Sequence, residues 1–387
     1  MPVKHAKRPA MRRKLLPRKR SKGARQSGIF VRRSPFLISY WRDKRLILEN
    51  YLTRRKIAAS PDVVAILDFC SESRRIHEIV KHWPGHTADS VLGGVARLVK
   101  ETLLQVSREK NPRDDEKQKA LRNWKAWNPA ASFFHLSTKD TYADEVTPEE
   151  IAYVEQLAKL HPVPKPLKAY PGARSILLKR GVFSAEFPRV LRERRTWREF
   201  SRQKVSREML STLLELSFGI QGWEEVPTIG KLAQKTSPSG GALHPGEAYV
   251  LASRVEGVAP GIYHYDAGGH RLQLLRRGMS AAEIERYLAG QWWFRDAAFL
   301  VLLTAVFGRT QWKYDYARAY RAVLIEAGHL CQTFCLTATW LGLASFCTIA
   351  VADTKIEKSL GVDGISESII YAMGAGHKPQ KKAANRA

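Results

Sequence analysis

Residues Leu330 to Ala352 run LCQTFCLTATWLGLASFCTIAVA, 23 residues without a charge. A run of that length either crosses a bilayer or is buried inside a protein, and both outcomes restrict the fold. Gln332, four threonines, Ser345 and a central Gly342 interrupt its apolar character, which counts against a membrane span. The better reading is a buried helix ending near Trp340, a turn at Gly342, and a β-branched strand around Cys347–Val351.

At 387 residues the chain exceeds one ordinary core, so two or more domains are expected. Its net charge of +27 is unevenly placed: residues 1–33 hold 13 Lys and Arg and no acid, leaving +14 on the remainder. Such a block is expected to be a disordered, solvated tail that touches nucleic acid only unspecifically. No secretory apolar core is present, and proline-broken, serine-poor sequence counts against an organellar transit peptide. The four cysteines, Cys70, Cys331, Cys335 and Cys347, form no C-x-x-C pair. A disulfide framework or structural metal is not expected, which fits a reducing, cytoplasmic setting, and Cys331 and Cys335 read as core.

Beyond the tail, residues 34–106 carry two strands, Phe36–Trp41 and Leu46–Leu52, joined by Arg42-Asp43-Lys44-Arg45. Helices are expected after Ser60-Pro61, over Arg75–Trp83 and over Thr87–Glu101, then a short strand at Leu103–Val106. That order suggests a small winged-helix-like domain. Residues 107–174 read as a helical and Pro-rich linker, with Trp124 and Trp127 as packing anchors, a helix starting at Thr147-Pro148, and four prolines in His161–Pro171. Residues 175–387 mix helices (Phe187–Arg194, Ser206–Phe218, Tyr316–Trp340) with strands at Ala248–Ser253, Gly261–Tyr265, Leu272–Leu274, Phe299–Thr304, Ser345–Val351 and Ser368–Met373. An α+β domain with a mostly antiparallel sheet and one long core helix is expected.

Three segments bear chemistry. Arg194-Arg195-Thr196-Trp197-Arg198 puts three guanidiniums within five residues, enough to clamp a phosphate, although a solvated basic turn fits this run equally well. Pro238-Ser239-Gly240-Gly241-Ala242-Leu243 lets the backbone approach a planar ligand, but alone it reads as an ordinary connection; it is neither a dinucleotide fingerprint nor a P-loop. Lys313-Tyr314 precedes the long helix, where a surface lysine and a helix-start aromatic are the plain alternative.

The order of these segments is more specific than any one of them. RRTWREF (194–200), PSGGALHP (238–245), PGIYHY (260–265), YRAVLIEAGH (320–329) and Gly342-Leu343 follow one another as in the SagB-type dehydrogenases, which the chain resembles over about 210 residues. The resemblance implies a nitroreductase-like fold and a homodimer with FMN at its interface. Arg194, Arg195, Thr196 and Arg198 would hold the phosphate and the polar edge of the flavin, with Lys378 as a further phosphate-side cation. The loop Pro238, Ser239, Gly240, Gly241 and Leu243, supplied by the second subunit, would line the ring, near Gly342 and Leu343. Family members often carry Gly-Leu-Gly where this chain has Gly342-Leu343-Ala344. Lys313 and Tyr314 match an adjacent pair that moves protons beside the flavin in azoline-oxidising relatives.

The implied reaction is oxidation of a thiazoline or oxazoline in a ribosomally made precursor peptide to the azole. Lys313 with Tyr314 would take a ring proton while hydride leaves for the flavin. An acidic leader or a cyclodehydratase would suit the positive body as partner. Two rivals stand beside it. One is a general NAD(P)H-dependent nitro or quinone reductase. The other is a winged-helix nucleic-acid-binding protein with a degenerate enzyme scaffold, against which the helix over Thr87–Glu101 offers only Arg97 and Lys100 as cations. Glu326 and His329, three apart on the long helix, read as a mutually satisfied pair.

Overall fold

The computed structural model describes residues 28–140, 156, 159, 185–227 and 230–379. The expected tail up to residue 27, the helix at Thr147-Pro148, the Pro-rich connector and the boundary at Ser175 lie outside these residues. The chain divides into two compact units, Met1–Arg113 and Asp114–Ala387.

The first unit contains β1 (Phe30–Arg33), β2 (Leu37–Arg42), β3 (Arg45–Asn50), β4 (Arg55–Ala58), α1 (Pro61–Phe69), β5 (Arg74–Arg75), α2 (Ile76–His82), α3 (Ala88–Lys100) and β6 (Leu104–Ser107). Local chemistry explains the boundaries. Asp43 and Lys44 turn the β2–β3 hairpin at φ of 47° and 61°, the left-handed pair whose twist suits a two-residue hairpin loop. Pro61 opens α1, and the Thr87 hydroxyl accepts from Ser90 N to cap α3. Phe30–Arg33 correct the expectation of a disordered tail to residue 33: they pair as β1 with both β5 and β6. The charge run hid a strand whose one inward side chain, Val31, is buried with Leu67, Ile79, Val95, Leu98 and Leu104.

The second unit holds α4 (Glu116–Arg122), α5 (Ala130–Ser137), α6 (Glu186–Glu193), α7 (Arg207–Phe218), β7 (Gly222–Val226), β8 (Gly230–Gln234), β9 (Gly246–Ala252), β10 (Gly261–Asp266), β11 (Arg271–Arg277), α8 (Ala281–Tyr287), β12 (Phe299–Val306), α9 (Phe307–Lys313), α10 (Ala319–Trp340), β13 (Leu343–Thr348), α11 (Asp353–Leu360) and β14 (Glu367–His377). Six strands form an antiparallel sheet in the order β11-β10-β9-β12-β14-β13. This is the expected α+β architecture.

The sheet is covered on both faces, which is why β12 is a continuous apolar run. Phe299, Val301 and Leu303 face α7 and α10, packing with Leu213, Leu330 and Phe334. Leu300 and Leu302 face the other way, with Ile284 of α8 and Ile356 of α11. The alternation follows from the two-residue repeat of a strand. The uncharged run resolves into the C-terminal part of α10, a left-handed Gly342 at φ 77°, and β13, two residues earlier than expected. No helix among the described residues is long and apolar enough to cross a membrane.

Part of the stretch assigned to a connector, Glu116–Ser137, belongs to this unit. Trp124 and Trp127 are fully buried and donate to the carbonyls of Ile365 and Tyr314 at 3.1 and 2.9 Å. His135, between Tyr320 Oη at 2.9 Å and Gly364 O at 3.0 Å, is pushed down to about 3 by burial, then by Lys139. The neutral ring accepts from Tyr320 and donates to Gly364, so nothing on it is left unsatisfied.

Just beyond α5, Lys139 Nζ reaches both oxygens of buried Glu357, at 2.6 and 2.5 Å, and Gly364 O at 3.3 Å. Lys139→Met strands the Glu357 carboxylate away from water, and a stability loss of about 3–5 kcal/mol in denaturant unfolding is expected. A loss below about 1 kcal/mol would show that the pair does not secure this corner.

Candidate active site

The sequence-predicted residues gather at two places. The first lies where α6 ends. Arg194 terminates that helix, and the extended segment after it docks on β13 through Trp197 N donating to Ser345 O at 2.9 Å. Arg195 is turned back on its own backbone, its Nη1 donating to Arg192 O at 2.7 Å and Arg194 O at 3.0 Å. Thr196 and Arg198 are exposed. Lys378 Nζ stands 5.7 Å from the Trp197 ring centroid, so the C-terminal cation joins the cluster. None of Arg194, Arg195, Arg198 and Lys378 has a carboxylate partner among the described residues, a donor set open to an anion. Gly342 and Leu343 lead into the strand that supports this segment, Leu343 with its side chain buried in the core.

The second place is the glycine loop. Ser239 Oγ donates to Glu326 Oε2 at 2.5 Å and accepts from His244 N at 2.9 Å, and Pro238 O accepts from His329 Nδ1 at 3.4 Å. Glu326 and His329, expected as a mutual pair, instead fasten the loop to α10. Gly240–Ala242 make one 3-10 turn with Gly241 at φ 69°, and Leu243 is half-buried. A Cβ on Gly241 would stand 2.8 Å from Tyr314 Oη and 3.2 Å from Lys313 Nζ, so a side chain there would have to displace the ends of the Lys-Tyr pair, and the positive φ itself favours glycine. The fold thus brings loop and pair together inside one chain. Lys313 is exposed, and its Nζ is 5.5 Å from the Tyr314 ring centroid.

Both places are tied to α10 or to the strand that follows it. The loop is held by Glu326 and His329, Trp340 Nε1 donates to Glu186 Oε1 at the start of α6, and the segment after Arg194 docks on β13.

Sequence reasoning missed a charged cluster beside the loop. The β7–β8 hairpin, unanticipated because glutamate and lysine fill its exposed positions, borders a cleft of about 510 Å³ lined by Trp223, Lys235, Glu247, His264, Arg309 and Trp312, among others. Arg309 pairs with Glu247 at 2.5 Å and donates to His244 O at 2.8 Å. Burial raises the Glu247 carboxyl, but hydrogen bonds from His264 and Arg309 more than offset it and hold the pKa below the usual range. Deeper in, burial pushes Glu326 up and His244 down, so both favour their neutral forms. That suits their geometry: His244 Nε2 donates to Ala233 O at 2.8 Å, leaving Nδ1 as an acceptor 4.0 Å from Glu326 Oε1.

The nitroreductase family profile matches residues 191–377. The chain is 27% identical over 173 residues to the trifolitoxin-processing protein TfxB of Rhizobium leguminosarum bv. trifolii, covering 44% of this chain and 46% of that protein. It therefore spans less than half the length of that relative. It is 30% identical over 189 residues to MJ1384 of Methanocaldococcus jannaschii, named as a nitroreductase, covering 49% of this chain and 89% of that protein. A chain of the E. coli microcin synthetase McbBCD complex with truncated pro-MccB17 bound superposes with a TM-score of 0.51 at 21% identity, covering 67% of this chain and 94% of that one.

Both ring nitrogens of His264 face acceptors, Nε2 at 2.8 Å from Glu247 Oε2 and Nδ1 at 3.1 Å from Gln273 Oε1. The hydrogen bond to Glu247 accordingly raises the His264 pKa above its ordinary 6.5. Because the folded state holds this proton more tightly, the stabilisation is complete below about pH 6.5 and is lost as pH rises through the folded value. An NMR titration of His264 should show the raised midpoint, and Glu247→Gln should return it toward 6.5. A midpoint unmoved by that substitution would remove Glu247 as the cause.

Proposed function

Since this chain belongs to the nitroreductase family, we propose that it is an FMN-dependent dehydrogenase that oxidises azoline rings of a ribosomally made precursor peptide to azoles. The observation that carries this reading is the meeting of Lys313 Nζ and Tyr314 Oη at the paired-glycine loop. An amine and a phenol set beside a ligand-lining bend can take a proton from carbon and pass it on. Similarity to a trifolitoxin-processing protein supports a peptide as substrate.

The residues present fit FMN. Arg194, Arg195, Arg198 and Lys378 form a cationic set with no acid among the described residues to neutralise it, suited to a phosphate, with Thr196 beside them. Pro238 to Leu243 offer backbone without bulk at Gly240 and Gly241 for a flat ring. Bound there, FMN would supply the two-electron acceptor that no side chain can be. As the resemblance to SagB-type dehydrogenases implies, a second copy of the chain would complete each site, making the working form a homodimer.

In this reading the chain's own residues supply position and proton handling. Azoline to azole removes two electrons and two hydrogens, and Lys313 would take the ring Cα proton with Tyr314 relaying it. Lys313 lies exposed on one chain, open to a substrate arriving from solvent. A cyclodehydratase that makes the azoline would be the working companion, and the +14 carried beyond residue 33 would favour an acidic leader peptide.

The purified protein should be yellow and release FMN by mass analysis. Lys313→Ala should retain the flavin while azoline-peptide oxidation falls by roughly 10²–10⁴-fold. Arg198→Ala should lose flavin instead. Rapid bleaching by NAD(P)H without peptide turnover would replace this reading with a general nitro or quinone reductase.

A further inference from the structure

Three of the four cysteines in the chain converge. Cys331 and Cys335, one turn apart on α10, and Cys347 on β13 bring their Sγ atoms within 4.8 Å of one another. The fourth, Cys70, is buried in the first unit. Spacing of four on a helix places two sulfurs on one side, and the strand that follows the Gly342 turn returns the third to meet them. Packing needs alone explain single buried cysteines, which behave as small apolar side chains. They do not explain why three thiols meet in a chain that has only four.

The surroundings are also those of a site. Ser345 Oγ is fully buried and has no hydrogen-bond partner among the described residues. Tyr371 Oη donates to Cys347 Sγ at 3.5 Å. Cys347 is the half-buried one of the three and so the point of entry. Around an ion with metal–sulfur bonds of about 2.3 Å, three thiolates stand about 4 Å apart. A spread of up to 4.8 Å reaches that with small side-chain rotations.

We propose that Cys331, Cys335 and Cys347 form a binding site for one thiophilic cation of the Zn(II) class, with the Ser345 hydroxyl placed to complete a fourth position. Soft thiolates select such ions over Mg(II) or Ca(II), and three thiolates on a divalent ion leave one negative charge that the neighbouring Arg194 offsets. Spacing along the sequence concealed the site, because its third ligand is brought by strand pairing. It stands on the sulfur geometry and is independent of the flavin reading.

The full-length chain, reduced and stripped of metal, should take up one Co(II) with a sulfur-to-cobalt charge-transfer band that Zn(II) abolishes by displacement. Zn(II) should raise the melting temperature and slow alkylation of Cys347 in the wild-type protein. Cys347→Ser and Cys331→Ser should each weaken Co(II) binding by at least about tenfold while Cys70→Ser leaves it unchanged. Circular dichroism would identify a variant that has not folded, and the alkylation measurement on the wild type then decides. No charge-transfer band from the fully reduced protein, or Zn(II) without effect on Cys347 alkylation, overturns the site. So does a cysteine pair that closes to a disulfide in air and, once reduced, binds no cobalt.

Discussion

Helix α10 is the element to which the second unit is registered. Its inward face, Ala327, Leu330, Cys331, Phe334, Cys335 and Ala338, packs against the same sheet face that α7 covers. The hydrophobic gain is on the order of 1.5–3 kcal/mol for each large side chain so buried. Because its length is fixed by hydrogen bonding at 1.5 Å per residue, whatever attaches along it is placed with little freedom. Glu326 and His329 hold the glycine loop, Trp340 holds the start of α6, and β13, which follows the helix, holds the segment after Arg194. The helix and the strand that follows it therefore support both parts of the candidate site, and the uncharged run Leu330–Ala352 holds the C-terminal half of the helix, the Gly342 turn and β13.

Around that beam the polar groups sort by depth. Near the cleft surface, Glu247 stays ionised because His264 and Arg309 both donate to it. One layer in, Glu326 and His244 are driven toward neutrality by burial, and a neutral carboxylic acid can donate where a carboxylate cannot. The Ser239 hydroxyl, shared between Glu326 and His244 N, transmits this arrangement to the loop. Position of the glycine bend thus rests on a chain of short polar contacts rather than on apolar packing, which suits a segment that must present bare backbone to a ligand.

Much of this was legible from residues alone, and the failures have physical causes. Long apolar periodicity located α3, α7, α10, β9 and β12, since burying one face leaves a repeat in the sequence. Ser60-Pro61, Thr87 and Ser206 marked helix starts because caps are local chemistry. β1 was lost inside a charge run, for a four-residue strand with one buried side chain carries almost no pattern. The β7–β8 hairpin was lost for the same reason. Clustered arginines and the glycine pair were visible as residue types, yet each had a plain alternative until their order was considered. The Cys331, Cys335 and Cys347 meeting could not be read from spacing, because the way β13 folds back on α10 after Gly342 is set by packing, and the attachment of Glu326 to Ser239 joins segments distant in the chain.

On the proposed reading, cofactor binding and association of two chains are linked. Cations left without acids cost little while they stay hydrated, so a lone chain tolerates Arg194, Arg198 and Lys378 as they stand. If FMN bridges two copies, each holds only part of the binding surface for a ligand with an anionic end and a flat apolar end. On the proposed reading, a second copy supplies the loop that the first copy's arginines lack. Association and cofactor binding then share one free energy, since whatever binds the assembled form alone must favour assembly to the same degree.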